Sequence, residues 1–76
     1  MDVECLKRII AKTLNIRADE IHLETDLMKD LGVDSLDIFQ IMIEIEEELQ
    51  IEIHSDEAER VRTVSDIMEL VDRFGV

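Results

Sequence analysis

The sequence predicts an all-α fold, a small four-helix bundle made of three main helices and one short helix, with a long first loop. Three observations carry this. Apolar residues recur at helical spacing in several stretches of the chain. Only Ile51, Glu52 and Ile53 alternate as a strand would, and three residues without a partner run make no sheet. The chain contains no proline to interrupt a helix, and its 76 residues are enough for one domain, spanning 1–76.

Val3, Leu6, Ile9, Ile10 and Leu14 define the apolar side of a first helix over about residues 2 to 14, with Glu4, Lys7, Arg8 and Lys12 opposite and Asn15 at its end. Residues 16 to 33 are a long connection whose Ile16, Ile21, Leu23, Leu27 and Leu31 fold it back over the core. A short helical turn is expected around Asp26 to Lys29, broken by Gly32. Asp34 then caps the second main helix, Asp37 adds a carboxylate to its first turn, and the pattern runs to about Gln50. His54 and Ser55 interrupt it, and Ser55 is expected to cap a short helix ending at Val61. Thr63 and Asp66 have the spacing of a capping box, and Val64, Ile67, Met68, Val71 and Phe74 give the last amphipathic helix.

Size and charge exclude several functions. A domain this short buries only ~60% of its unfolded surface, which leaves little room for a deep catalytic cleft. Eight Lys and Arg against twenty Asp and Glu give a formal net charge of −12. Nucleic acid and anionic membrane surfaces are therefore not expected partners, since both need a basic stripe. The acidic surface either only keeps the protein soluble or also steers it toward basic patches on partners. The single cysteine, Cys5, excludes an internal disulfide and fits a reducing compartment. No apolar run reaches the ~18 residues of a membrane span and no signal peptide is recognisable, so the expected location is cytoplasmic.

The second main helix carries more apolar residues than one buried face needs. At about 100° per residue, Ile38, Ile41, Met42, Ile45 and Leu49 fall in one arc, the face a bundle buries. Leu36, Phe39 and Ile43 form a second cluster, and Asp37, Gln40, Glu44, Glu47 and Glu48 occupy the remainder. Contact with the long loop explains Phe39 as well as exposure does. For Leu36 and Ile43 the better reading is an exposed apolar patch rimmed by acids, suited to a partner with an apolar patch and a basic rim. The expected partner-binding set is Leu36, Asp37, Phe39, Gln40, Ile43, Glu44 and Glu47, with Ser35 beside it at the helix start.

The segment Asp30 to Asp37 reads DLGVDSLD. It closely resembles DLGADSLD, the phosphopantetheine attachment motif of acyl carrier proteins. Glu46 to Leu49, Ile51 to Ile53, and Thr63 with Val64 also sit at that family's spacing, so the resemblance covers essentially the whole chain. It implies that a phosphopantetheinyl transferase attaches 4′-phosphopantetheine from coenzyme A to Ser35, with Asp34 as motif residue and helix cap. Acyl groups are then held as thioesters, sheltered between the helices, and delivered to acyl-processing enzymes of fatty acid synthesis. By the same resemblance the protein is a monomeric carrier with no catalytic residue of its own and no metal. A helix N-terminus suits a phosphodiester physically, because unpaired amides and the positive dipole end meet there.

The chain departs from the family pattern at Val33 (usually Ala), Phe39 (usually Val), Gln40 (often acidic), His54 (often Pro) and Leu70 (commonly Tyr). Phe39 and Gln40 leave open a specialised carrier of a polyketide or other secondary acyl pathway. Three other readings compete with the carrier. Ser35 with His22 or His54 does not form the G-x-S-x-G elbow of a hydrolase. Asp26, Asp30, Asp34 and Asp37 lack the alternating ligands and final Glu of a calcium-binding EF-hand loop. A plain interaction module using Leu36, Phe39 and Ile43 without a prosthetic group remains the third.

Overall fold

The computed structural model describes residues 1–75. Its helices are α1 (Val3–Leu14), α2 (Leu27–Leu31), α3 (Ser35–Leu49), α4 (Ser55–Glu59) and α5 (Val64–Asp72), with a 3₁₀ turn at Ala18–Glu20. The described residues contain no strand, only an isolated bridge between Asp26 and Thr63. The three main helices of the expected bundle are α1, α3 and α5, and α4 is the short one. The second short helix, α2, and the 3₁₀ turn lie within the long connection.

Each main helix begins at a side-chain cap. Asp2 accepts from the Cys5 amide at 2.8 Å, and α1 closes at Asn15, whose left-handed backbone lets its amide reach back to Ala11. In α5, Thr63 accepts from the Asp66 amide, while the Asp66 carboxylate accepts from the amides of Thr63 at 3.0 Å and Arg62 at 2.9 Å. Ile38, Ile41, Met42 and Ile45 of α3 are buried against Leu6 and Ile10 of α1 and Ile67, Leu70 and Val71 of α5. Leu49, at the end of that arc, is half-buried.

The long connection is held on the core at both backbone and side-chain level. Ile21 and Leu27 are fully buried. The Leu27 amide donates to the Arg62 carbonyl at 2.8 Å, and the amides of Val64 and Ser65 donate to Thr25 and Leu23. Thr25, the one buried polar residue among those described, accepts from the His22 amide at 2.8 Å through its hydroxyl.

Four boundaries differ from the sequence reading. The turn expected at Asp26 to Lys29 is a helix from Leu27 to Leu31, with Asp26 as its cap. Ser55 is not the cap of α4 but its first residue; His54 stands at the cap position and makes no side-chain bond there. That helix stops at Glu59 because the Arg60 and Val61 amides donate three residues back, tightening the chain before Val61 enters the core. Similarly, α5 ends at Asp72, and the amides of Phe74 and Gly75 close tight turns beyond it.

The cap of α5 gives stability a pH dependence. The Thr63 amide, helped by the Arg62 amide, the Thr63 hydroxyl and the Arg62 charge, holds the Asp66 carboxyl below its ordinary value against a smaller opposing effect of burial. A carboxyl depressed in the folded state stabilises above its unfolded pKa, about 3.9, and that contribution disappears as pH falls through the lower folded value. Asp66→Asn is therefore expected to lower the melting temperature at pH 7. The gap from the parent protein should narrow once pH drops below about 4. A gap constant across the titration would show that the carboxylate charge is not what caps α5.

Candidate functional site

The turn before α3 is set by Gly32, whose φ of 68° lies in the left-handed region that favours glycine. From there the Gly32 amide closes the end of α2, donating to the Leu27 and Met28 carbonyls. Val33 follows and is buried, its amide also donating to Leu27 at 3.2 Å. The larger residue at this motif position thus joins the buried core cluster.

Asp34 then turns outward in extended conformation and caps α3 reciprocally. Its carboxylate accepts from the Asp37 amide at 3.0 Å, and the Asp37 carboxylate accepts from the Asp34 amide at 3.3 Å. Both carboxylates are therefore directed at backbone. Ser35, the first residue of α3, is exposed. The amides of the first turn that the box does not reach have no intrahelical acceptor, and an exposed hydroxyl beside them fits a tethered phosphodiester.

Asp30 has a role the sequence reading missed. Its carboxylate accepts from the Asp26 amide at 2.8 Å, while Asp26 accepts from the Lys29 amide at 2.8 Å, so α2 has its own reciprocal cap. The acid that opens the motif thus orders the helix packed ahead of Ser35. A four-residue spacing between the acids, rather than the usual three, hid this pairing. Glu46 was missed as well: its carboxylate accepts from the Ile53 amide at 2.7 Å and ties the α3–α4 connection back onto α3.

The seven expected partner-binding residues do not share one surface. Leu36 is 74% exposed and Ile43 45%, and with exposed Glu47 they fall on the outward side of α3. Phe39 instead turns toward α2 and α4 and is half-buried. Gln40 and Glu44, hydrogen-bonded to each other at 3.2 Å, line a groove of about 590 Å³ opposite Arg8 and Lys12 of α1. Asp37 is half-buried and engaged in the cap.

Beside Ser35 lies a small cavity of about 70 Å³, bounded by Met28, Ile38, Phe39, Ala58 and Glu59 as well as the serine. The surrounding charge is one-sided. Residues 18–59 contain fifteen acids and one lysine, whereas residues 1–17 contain four basic residues and two acids. Two ion pairs form among the described residues, Lys7 with Glu4 and Arg17 with Asp19, and neither involves an acid of α3.

Comparison with known proteins agrees with this geometry. The family model described as "Phosphopantetheine attachment site" matches residues 4–71. The acyl carrier protein of Clostridium perfringens is 46% identical over 66 residues, 87% of each chain. The chain belongs to the acyl carrier protein family. Another member, the acyl carrier protein of Clostridium acetobutylicum, is 44% identical over 71 residues, covering 93% of this chain and 92% of its own. The fold is shared too. A solved Mycobacterium tuberculosis structure described as an acyl carrier protein superposes with a TM-score of 0.86 at 33% identity, over 95% of this chain and 96% of its own. Phosphopantetheine is the prosthetic group of the family, and when bound it supplies a thiol that holds acyl groups as thioesters. No helix among the described residues is long and apolar enough to cross a membrane.

Proposed function

We propose that Ser35 is the attachment residue for 4′-phosphopantetheine, and that this single carrier domain holds acyl chains on the arm and presents them to enzymes of fatty acid synthesis. The observation that carries the reading is an exposed serine at the first position of α3, in the motif DLGVDSLD, behind the Gly32 turn and the Asp34–Asp37 cap. Catalysis belongs to the partners, and the carrier contributes position: a tethered thioester is at high local concentration for any enzyme docked nearby. The protein acts as a cytoplasmic monomer. Incubation with coenzyme A and a phosphopantetheinyl transferase tests the assignment, and the expected result is one added arm by intact mass. No added mass with a transferase that modifies a control carrier would overturn it.

Partners, the transferase included, dock on the outward side of α3 through Leu36, Ile43 and Glu47, using an apolar patch with a basic rim. Two large apolar side chains exposed on a helix whose core face is already complete support this. Leu36→Asp and Ile43→Asp are expected to leave the melting temperature within a few degrees of the parent. Each should weaken use by a partner enzyme roughly tenfold, the loss of a contact worth about 1–2 kcal/mol. Unchanged saturation curves for both variants would remove this face from the docking surface.

A further inference from the structure

We infer that Asp30 is a positioning residue for the loading of Ser35, acting through α2 rather than through contact with the transferase. The inference rests on Ser35 bearing the arm and adds a residue on which its loading rate depends. Loading forms a bond from Ser35 Oγ to the phosphorus that carries pantetheine in coenzyme A. It breaks the bond from that phosphorus to the bridging oxygen, which leaves with the electron pair as part of adenosine bisphosphate. The hydroxyl proton passes to a base of the transferase or to solvent. The attacking oxygen must stand in line with the leaving one, and a misplacement of about 1 Å can cost ~10²-fold in rate. A carrier that holds Ser35 in place before docking therefore loads faster than one that does not.

Three residues, Gly32, Val33 and Asp34, separate the end of α2 from Ser35, so a displacement of α2 passes directly to the serine. Helix α2 is 5 residues long, too short to hold its own shape in water, and depends on its attachments. Leu27 anchors it to the core, being fully buried, and the Leu27 amide donates to the Arg62 carbonyl. The start of α2 is held by side chains. The Lys29 amide donates to the Asp26 carboxylate, and the Asp26 amide donates to the Asp30 carboxylate, each at 2.8 Å. Asp26 is also the residue bridged to Thr63, the cap of α5. The Asp30 carboxylate thus pins the point where α2 meets the start of α5. Asp30 is exposed and takes part in neither ion pair of the described residues, so this bond to backbone is what its side chain contributes to the fold.

Asp30→Ala and Asp30→Asn separate the hydrogen bond from the charge, because an asparagine oxygen still accepts from the Asp26 amide and carries no charge. Loading by a phosphopantetheinyl transferase from coenzyme A is followed in single turnover at rising transferase concentration, with melting and amide exchange on the same samples. In Asp30→Ala the rate at saturation should fall about tenfold, within the range for a misplaced reactant. Exchange at the Asp26 and Lys29 amides should accelerate, while the melting temperature stays within a few degrees of the parent. Asp30→Asn should load at nearly the parent's saturating rate. Asp26→Ala, which removes the other half of the cap, should lower that rate as well and serves if Asp30→Ala unfolds. Partial unfolding or a lost contact with the transferase would instead raise the concentration for half-saturation and leave the saturating rate unchanged. That result in Asp30→Ala would overturn the inference, as would an equal loss in Asp30→Asn, which would assign the effect to charge. A parent chain that gains no arm would count against Ser35 as the attachment residue, not against Asp30.

Discussion

Ser35→Ala is expected to gain no phosphopantetheine under conditions that modify the parent completely, while folding as well as the parent does. Both halves follow from its place in α3. The side chain that caps the helix belongs to Asp34, and the carboxylate that answers it belongs to Asp37, so removing the Ser35 hydroxyl breaks neither bond. Exposed substitutions away from such features cost within about 0.5 kcal/mol. Loss of loading would therefore report chemistry, with the melting curve as the control for structure.

The chain contains its own comparison. It has three serines, and Ser55 is also exposed and also the first residue of a helix. Around Ser55, however, the preceding His54 makes no side-chain cap, no left-handed glycine precedes it, and α4 is only 5 residues long. Ser65 is half-buried and shares a hydrogen bond with Thr63 at 2.9 Å. Ser55→Ala should load like the parent. Mass gain in Ser35→Ala with loss in Ser55→Ala would reverse the assignment.

What could be read from the sequence and what could not divide along physical lines. The α1 register, the buried arc of α3 and the α5 capping box depend on residues three or four apart, and the sequence displays those spacings directly. How the α2 region sits against the start of α5 depends on partners elsewhere. The Leu27 amide finds Arg62, and the Val64 and Ser65 amides find Thr25 and Leu23, across more than thirty residues of chain. The far side of α3 was hardest to read, because α1 takes Gln40 and Glu44 on one flank while α2 and α4 take Phe39 on the other. Helical periodicity identifies a face as surplus to the core, but tertiary neighbours decide how that face is divided. Hence Leu36 and Ile43 remain outward together, while Phe39, placed with them by pattern, becomes a cavity wall.

That division makes the stability of α3 strongly position-dependent, and Ile41 and Ile43 are the sharpest pair. Ile41→Ala should cost about 2–5 kcal/mol, the range for truncating a fully buried aliphatic side chain, because Ile41 is 0% exposed among core neighbours on other helices. At ~0.05–0.15 kcal/mol per residue, a domain of this length has only about 4–11 kcal/mol in total. Self-repulsion among twenty acids lies within that margin and weakens with added salt. Ile41→Ala should thus remove a large share of the stability, lowering the urea midpoint at an unchanged slope, and moderate salt should recover part of the loss. Ile43→Ala makes the same chemical change two residues further along, at a position 45% exposed, and should change the stability by no more than about 0.5 kcal/mol. Equal midpoints for the two variants would mean that α3 does not bury the face assigned to it, and the outward placement of Ile43 as a docking residue would fail with it. Unequal midpoints in the expected order would leave Ile43 free of any folding role, so that its loss from partner recognition could be measured without a stability correction.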